Sequence, residues 1–241
     1  MYLKNHRALV TGATSGIGRA IAIHLARAGA DVIVHGRDGQ RGAVVVAEIL
    51  KAGGQARFVA ADLADTGDIR RLIGEVGDLD ILVNNAGFSI FGPTDKLDVE
   101  RFDALFAANV RAPFLLVAGI APGMAARGRG SIINIGSMSG TIGLGAAAAY
   151  GATKAAIAAM TRAWAAEYSA SGVRINTVAP GPVTPTGKDP SDVITSLATT
   201  TAMKRAATAD EIADVVTFLV SPGATYITGA LIPVDGGRTA I

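Results

Sequence analysis

The sequence has no cysteine and only three histidines, and these shortages exclude several kinds of site. Without cysteine there is no disulfide, no thiolate nucleophile and no cysteine-ligated zinc. His6, His24 and His35 lack the spacing of metal ligands, so no metal site is expected.

Charge of one sign is scarce too. Lysine and arginine number 22 against 20 aspartates and glutamates, which leaves a formal net charge of +2. The densest basic group is Arg127 with Arg129, and the other basic residues are scattered. Because nucleic-acid binding requires a concentrated basic face, we expect no nucleic-acid partner.

Long apolar runs are also missing. Glycine, proline or a charge interrupts each apolar stretch before it reaches the roughly 18–20 residues that a membrane span needs. Residues 1–7 show no signal-peptide pattern. We therefore expect a cytoplasmic protein with no membrane partner.

What the sequence does contain is strand-length apolar runs that alternate with longer helical patterns. Strands are predicted at 7–10, 31–35, 57–61, 81–83, 131–135, 173–178 and 230–234. Helices are predicted at 17–28, 41–52, 98–126, 148–170 and 209–219. This alternation predicts an α/β protein with a doubly wound, Rossmann-like fold: a seven-stranded, mostly parallel sheet with helices on both faces.

The chain is expected to form one domain. No linker or change of composition divides residues 1–241, and this length suits a single α/β domain. Residues 183–205 differ from the rest because they contain Pro185, Pro190 and a threonine cluster at 199–201. We predict a mobile substrate loop there, with one or two short helices.

A glycine-rich turn joins the first strand to the first helix. Its predicted contacts with a dinucleotide come from Gly12, Thr14, Ser15, Gly16, Ile17 and Gly18. Gly12 permits a sharp turn, Gly16 lets the backbone approach a pyrophosphate, and Gly18 lets the helix pack closely on the sheet. The free N–H groups and positive dipole of the helix N-terminus favour phosphate, so a dinucleotide-binding domain is predicted.

The end of the second strand indicates which dinucleotide is preferred. NAD-binding folds typically place an acidic residue there, which accepts hydrogen bonds from the adenosine ribose. Here Gly36 and Arg37 follow the strand, with Asp38 beyond them. A guanidinium pairs with a 2′-phosphate that a carboxylate would repel, so NADP(H) is preferred and NAD(H) is the second choice.

Tyr150 and Lys154 lie four residues apart in a predicted helix, so they share one face. A lysine ammonium, together with a nicotinamide cation, is expected to lower the pKa of the tyrosine. Such a tyrosine exchanges a proton with a ketone or alcohol oxygen. Ser137 follows the fifth strand, at the end of the sheet where ligand groups gather, and is expected to polarise the carbonyl.

These segments, in this order, resemble the short-chain dehydrogenase/reductase family over almost the whole chain. The chain is similar to the short single-domain branch that includes 3-oxoacyl-acyl-carrier-protein reductases. The matching segments are 11–18, 84–87, Asn109, Ser137, Tyr150 with Lys154, and Pro180-Gly181. The resemblance implies a small carbonyl or alcohol substrate, and a homotetramer or homodimer.

The resemblance also implies roles for single residues. Asn109 would complete a catalytic tetrad with Ser137, Tyr150 and Lys154 by holding a water that links Lys154 to solvent. The remaining expected cofactor contacts are Asp62 and Leu63 at the adenine, Asn85, Ala86 and Gly87 at the ribose, and Pro180, Gly181, Val183 and Thr186 at the nicotinamide, with Tyr150 and Lys154.

Two departures from the family pattern leave the substrate open. Pro185 stands where relatives often have a threonine that contacts the nicotinamide, and Thr184 or Thr186 would substitute for it. The turn at 169–172 lacks an arginine that docks an acidic carrier protein in acyl-carrier reductases. Positive charge would then have to come from Arg127, Arg129 and Arg162.

The expected substrate pocket is mostly apolar. Its predicted wall is residues 88–91, Met138, Ile142, Leu144, Ala147 and the loop after Val183. This wall suits a small or medium apolar ketone. The alternatives are a 3-oxoacyl-acyl-carrier-protein reductase, an NAD-dependent sugar or polyol dehydrogenase, and a regulatory scaffold that binds the dinucleotide without turnover.

Overall fold

The computed structural model describes residues 1–185 and 189–241. The strands are β1 Arg7–Val10, β2 Asp31–Gly36, β3 Gln55–Ala60, β4 Ile81–Asn84, β5 Gly130–Ile135, β6 Val173–Pro180 and β7 Leu231–Val234. The helices are α1 Gly16–Arg27, α2 Gly39–Lys51, α3 Thr66–Val76, α4 Val99–Phe106, α5 Ala112–Ala126, α6 Ala148–Tyr168, α7 Asp192–Thr199 and α8 Ala209–Val220.

All seven strands form one sheet in the order β3-β2-β1-β4-β5-β6-β7. Every pairing is parallel, so the sheet predicted as mostly parallel is parallel throughout. The chain winds outward from β1 in one direction and from β4 in the other. Ligands of open parallel sheets bind at such a reversal, beyond the carboxyl ends of the strands.

Alternate side chains of each strand enter two separate hydrophobic clusters, one on each face of the sheet. Ala8 and Val10 pack with α1, α2 and α8, whereas Leu9 between them packs with α3, α5 and α6. Both faces are therefore covered by helices, which confirms the predicted doubly wound, Rossmann-like fold.

One helix was missing from the sequence prediction. In α3, Asp65 caps the N-terminus and Ile69, Leu72 and Val76 are buried, which is a helical spacing that could have revealed it. The short helix predicted within 183–205 is present as α7. The mobility of that loop stays a prediction.

The predicted helix 98–126 is interrupted by a π-helical turn at Ala107–Arg111, which contains Asn109. Within the described residues, Val99–Ala126 is long and apolar enough to cross a membrane by length and composition, and an 18-residue window of it has a mean hydropathy of 1.7. The sequence prediction that no apolar segment reaches that length is therefore wrong. Leu116 and Val117 of α5 are fully buried in the cluster against the sheet, as in the core helix of a folded domain.

A chain of polar side chains crosses the core between the sheet and α6. Asn84 Nδ2 donates to Asn134 Oδ1 at 2.9 Å, and Asn134 Nδ2 donates to Thr161 Oγ1 at 2.8 Å. Thr161 in turn bonds Thr177 at 2.7 Å. Because these side chains are buried, each unpaired group would be costly. The chain fixes β4, β5 and β6 to α6.

Replacing Asn134 with alanine is expected to lower the free energy of unfolding by about 2–4 kcal/mol, because Asn84 and Thr161 lose their shared partner. Ser131, buried on the same strand, is the matched control. Its Oγ has no hydrogen-bond partner among the described residues. Ser131→Ala should stay within about 0.5 kcal/mol of the wild type or stabilise it. Urea unfolding measures both, and equal losses would contradict this account.

Candidate active site

A cleft of about 1210 Å³ lies at the carboxyl ends of the strands. Most of the residues predicted from the sequence line it: Gly12, Thr14, Ser15, Ile17, Gly18, Arg37, Asp62, Leu63, Asn85, Ala86, Gly87, Ser137, Tyr150, Lys154, Pro180, Gly181 and Val183. Gly16 and Asn109 are not part of its lining. Thr186 lies outside the described residues.

The three glycines of the turn differ in the space around their Cα atoms. Gly12 has φ +63°, and a Cβ there would lie 2.9 Å from the Ala86 Cα. A Cβ on Gly18 would lie 2.4 Å from the Gly12 carbonyl oxygen. Gly16, with φ +54°, faces open space. The turn is therefore tightly packed behind and open in front, where a pyrophosphate would lie.

Two polar side chains hold the turn from behind. Thr11 Oγ1 donates to Val83 O at 3.1 Å and accepts from the backbone N–H groups of Asn85 and Ala86, each at 3.0 Å. Asn85 Nδ2 donates to the carbonyls of Thr11 and Gly12, at 2.8 and 3.1 Å. Thr11 was not among the predicted site residues, since a lone threonine ending a strand carries no sequence signal.

The start of α1 is the place in the cleft that fits a phosphate. Ser15 at its N-cap makes no side-chain capping bond. Side chains do cap α2, α3, α4, α7 and α8, through Asp38, Asp65, Asp98, Ser191 and Thr208. The first N–H groups of a helix need acceptors, and pyrophosphate oxygens supply them. The turn and α1 therefore fit the pyrophosphate of a dinucleotide.

Two arginines line the adenosine end of the cleft. Arg37 was predicted there, and Arg41 on the first turn of α2 joins it. Asp38 caps α2, where it accepts hydrogen bonds from the N–H groups of Gln40 and Arg41 at 3.0 and 3.1 Å. Its second oxygen pairs with Arg41 Nε at 3.2 Å. The Asp38 carboxylate was the reason to keep NAD(H) as the second choice of cofactor. It is bound by the start of α2 and by Arg41 instead.

Tyr150 and Lys154 project from one face of α6 into the cleft. Lys154 Nζ lies 5.7 Å from the centre of the Tyr150 ring and donates to the carbonyl of Ile135 at 2.9 Å. Ser137 lies beside Tyr150 in the cleft lining, and its Oγ donates to Ser139 Oγ at 3.1 Å. The Ser139 N–H donates to Ser137 Oγ at 3.1 Å and fixes that side chain. The structure thus brings the predicted serine, tyrosine and lysine together.

Burial is the largest influence on the pKa values of Tyr150 and Lys154. It lowers the pKa of Lys154 from 10.5 to about 8. Burial also raises the pKa of Tyr150 above 10.0, although the nearby Ser137 hydroxyl acts in the opposite direction. The expected lowering of the tyrosine pKa involves a nicotinamide cation as well as Lys154, and it stays a prediction. At neutral pH Tyr150 carries its proton.

Asn109 lies behind the cleft wall, in the π turn. Its Nδ2 donates to Phe88 O at 2.9 Å and to Thr153 Oγ1 at 3.1 Å, while its Oδ1 accepts from the Phe88 N–H at 3.1 Å. Thr153 Oγ1 donates to the Tyr150 carbonyl at 2.7 Å. The side chain thus connects the loop after β4 to the helix that carries Tyr150. Its expected role with a water stays a prediction.

The other end of the cleft is apolar. Phe88, Ser89, Phe91, Met138 and Leu144 line it as predicted, whereas Ile90, Ile142 and Ala147 do not. The Phe91 ring centre lies 5.8 Å from that of Tyr150. Val193, Ile194 and Leu197 on α7, which fall within the predicted substrate loop, also line this end, whereas Ala104 and Ala108 were not predicted.

Comparisons with known proteins identify the chain. A family model described as enoyl-(acyl carrier protein) reductase matches residues 12–239. A cyclopentanol dehydrogenase of Comamonas sp. is 36% identical, over 96% of each chain. A solved structure of a short chain dehydrogenase/reductase family protein is 45% identical with a TM-score of 0.93, over 100% of both chains. A metagenomic blue fluorescent protein in complex with NADPH is 33% identical with a TM-score of 0.92, over 99% of both.

These matches define an NAD(P)-dependent oxidoreductase that acts on hydroxyl groups and on the corresponding ketones. The chain belongs to the short-chain dehydrogenase/reductase family.

Substituting Lys154 should change how stability depends on pH. The folded state holds the lysine proton less tightly than the unfolded chain, because the pKa of Lys154 is about 8 rather than 10.5. The wild type therefore gains roughly 3 kcal/mol as pH rises through this interval, and a Lys154→Met variant lacks that gain. Denaturant unfolding at pH 7 and pH 10 measures the difference. A difference independent of pH would contradict the cost of burying this charge.

Proposed function

We propose that the protein transfers a hydride reversibly between NADP(H) and an apolar ketone or secondary alcohol, with Tyr150 as the general acid and base. The observation that carries the proposal is the position of Tyr150. Its side chain lies in the cleft beside Ser137 and Lys154, between an apolar wall and the glycine-rich turn.

The chemistry follows from the protonation states of these residues. A bound nicotinamide supplies or accepts the hydride. Tyr150, protonated at neutral pH, donates its proton to the ketone oxygen as the hydroxyl forms. Ser137 lines the cleft beside Tyr150, and its hydroxyl would supply a second donor for that oxygen. In the oxidative direction the tyrosine must lose its proton, which the Lys154 ammonium and the positive charge of an oxidised cofactor favour. Asn109 holds the backbone of this helix in place.

The preference for NADP(H) is supported by the adenosine end of the cleft. Arg37 and Arg41 line it, and Asp38 is occupied by the cap of α2 and by Arg41. Two guanidinium groups favour a 2′-phosphate. The related blue fluorescent protein is a complex with NADPH. Asp62 and Leu63 line the same end and would contact the adenine. NAD(H) stays the alternative cofactor.

The apolar wall supports a neutral ketone rather than an anionic substrate. Among the described residues at this end, Lys154 is the charged one, and its ammonium is engaged with Ile135. The relative from Comamonas sp. is named for a cyclic, uncharged alcohol. Small cyclic or branched ketones of that kind are the proposed substrates.

An acyl-carrier substrate has less support. Arg127 and Arg129 pair with Asp78 and Asp80 next to the start of β5, which is the end of the sheet opposite the cleft. Arg162 lies on α6 three turns beyond Tyr150. None of the three predicted cations thus stands at the cleft mouth. A regulatory scaffold is also less favoured, since Ser137, Tyr150 and Lys154 are assembled. Assembly as a homotetramer or homodimer in the cytoplasm remains part of the proposal.

Tyr150→Phe should reduce ketone turnover by about 10²–10⁴-fold, because the proton donor is lost while the cleft is not. NADPH affinity should change by only a few-fold. Tyr168→Phe, at the far end of the same helix, is the matched control and should keep wild-type rates. The assay follows NADPH absorbance with cyclopentanone, cyclohexanone and an acyl-carrier-bound ketone. Full turnover by Tyr150→Phe would overturn the assignment of this residue. If the wild type reduces the acyl-carrier-bound ketone and neither cyclic ketone, the proposed substrate class is wrong.

Arg37→Asp should lower the ratio of kcat/KM with NADPH to that with NADH by about ten- to hundred-fold, because a carboxylate repels the 2′-phosphate. Lys51→Asp makes the same change of charge at the exposed end of α2 and should leave the ratio unchanged. The comparison requires initial rates with both cofactors at one ionic strength. An unchanged ratio in Arg37→Asp would disprove the cofactor preference.

A further inference from the structure

A histidine is buried where three segments of the adenosine half of the cleft meet. His35 is the last but one residue of β2 and is 2% exposed. Its Nδ1 accepts the N–H of Gly12 at 3.3 Å, and its Nε2 donates to the carbonyl of Ala61 at 3.2 Å. Its own carbonyl accepts the N–H of Ala13 at 2.8 Å. One residue thus contacts the glycine-rich turn and the end of β3 together.

These contacts require one protonation state. An N–H group can only donate and a carbonyl can only accept, so Nδ1 must be bare and Nε2 must carry the proton. A proton on Nδ1 would face the Gly12 N–H. Burial lowers the pKa of His35 from 6.5 to about 4, although the Ala61 bond and the charges of Asp62 and Asp68 raise it. The imidazole is therefore a constant neutral acceptor near neutral pH.

The segments that His35 joins carry the proposed cofactor contacts. Gly12 begins the glycine-rich turn at residues 12–18, called the phosphate turn below. Ala61 precedes Asp62, and Arg37 lies two residues after His35. The Thr14 side chain packs over Gly36, where a Cβ would come within 2.5 Å of it. Movement of the imidazole would therefore shift the pyrophosphate, adenine and 2′-phosphate contacts relative to one another.

We propose that His35 is a positioning residue for the dinucleotide, whose neutral imidazole sets the spacing between the phosphate turn and the adenine side of the cleft. It touches the backbone of the turn and acts through it. It lies on the adenosine side, away from Tyr150, so it governs cofactor affinity rather than the chemical step. This inference rests on the proposed use of NADP(H).

Three substitutions separate the two hydrogen bonds of the imidazole. His35→Leu removes both, His35→Asn keeps an acceptor near the Nδ1 position, and His35→Gln keeps a donor near the Nε2 position. The Kd for NADPH, measured by its fluorescence, should rise about ten-fold or more in the leucine variant. The asparagine variant should recover part of that loss. At saturating NADPH, kcat should stay within about two-fold. His6→Asn, at the protein surface, is the control.

A spectroscopic measurement tests the protonation state directly. The chain has three histidines, so ¹⁵N-labelled histidine gives three sets of imidazole signals, and the His35→Asn spectrum assigns one of them. The His35 signals should show the Nε2–H form from pH 7 down to about pH 5 and shift when NADPH is added. An imidazolium at pH 6, or the Nδ1–H form, would overturn the proposal.

The outcomes distinguish this inference from the proposed function. If the wild type does not bind NADPH, the proposed cofactor fails. If it binds and the leucine variant binds as tightly, the role of His35 fails alone. Parallel losses of melting temperature, kcat and affinity in all three variants would reveal a structural residue only, and would also overturn the inference.

Discussion

The hydrogen bonds between the ends of β1 and β4 are the constraint on which the site depends. Thr11 Oγ1 and the Asn85 amide tie two neighbouring strands together at the point where the strand order reverses. The glycine-rich turn follows β1 and residues 85–87 follow β4, so these bonds hold two sides of the cleft together. The open front of Gly16 and the uncapped start of α1 have a defined position only because the turn is fixed behind.

The two ends of the cleft use opposite electrostatic environments. At the adenosine end, the guanidinium groups of Arg37 and Arg41 are exposed, so they would pair with the proposed 2′-phosphate at little desolvation cost. At the other end, burial raises the pKa of Tyr150 and lowers that of Lys154, because it disfavours the charged form of each residue. The burial that suits the proposed ketone therefore also raises the pKa of the tyrosine proposed to protonate it.

Sequence patterns predicted what depends on local order. The apolar runs of the strands, the glycine spacing and the four-residue step from Tyr150 to Lys154 each have one local structural meaning, and the parallel sheet followed from their alternation. The π turn at Asn109, the engagement of Asp38 by Arg41 and the bonds of His35 were beyond reach, because each depends on a partner or geometry that spacing does not encode. The effect of burial on the pKa of Tyr150 was also beyond reach, because the sequence indicates neighbouring charges and does not indicate burial.

The long apolar helix that ends at Ala126 has a consequence for synthesis of the chain. Leu116 and Val117 pack in a cluster whose other members come partly from β5, β6 and Trp164, all of which leave the ribosome later. During that interval part of the surface that covers the helix does not yet exist, and a segment with the composition of a membrane span is partly exposed to water. Chaperones or targeting factors that bind nascent apolar helices therefore compete with folding until β6 is made.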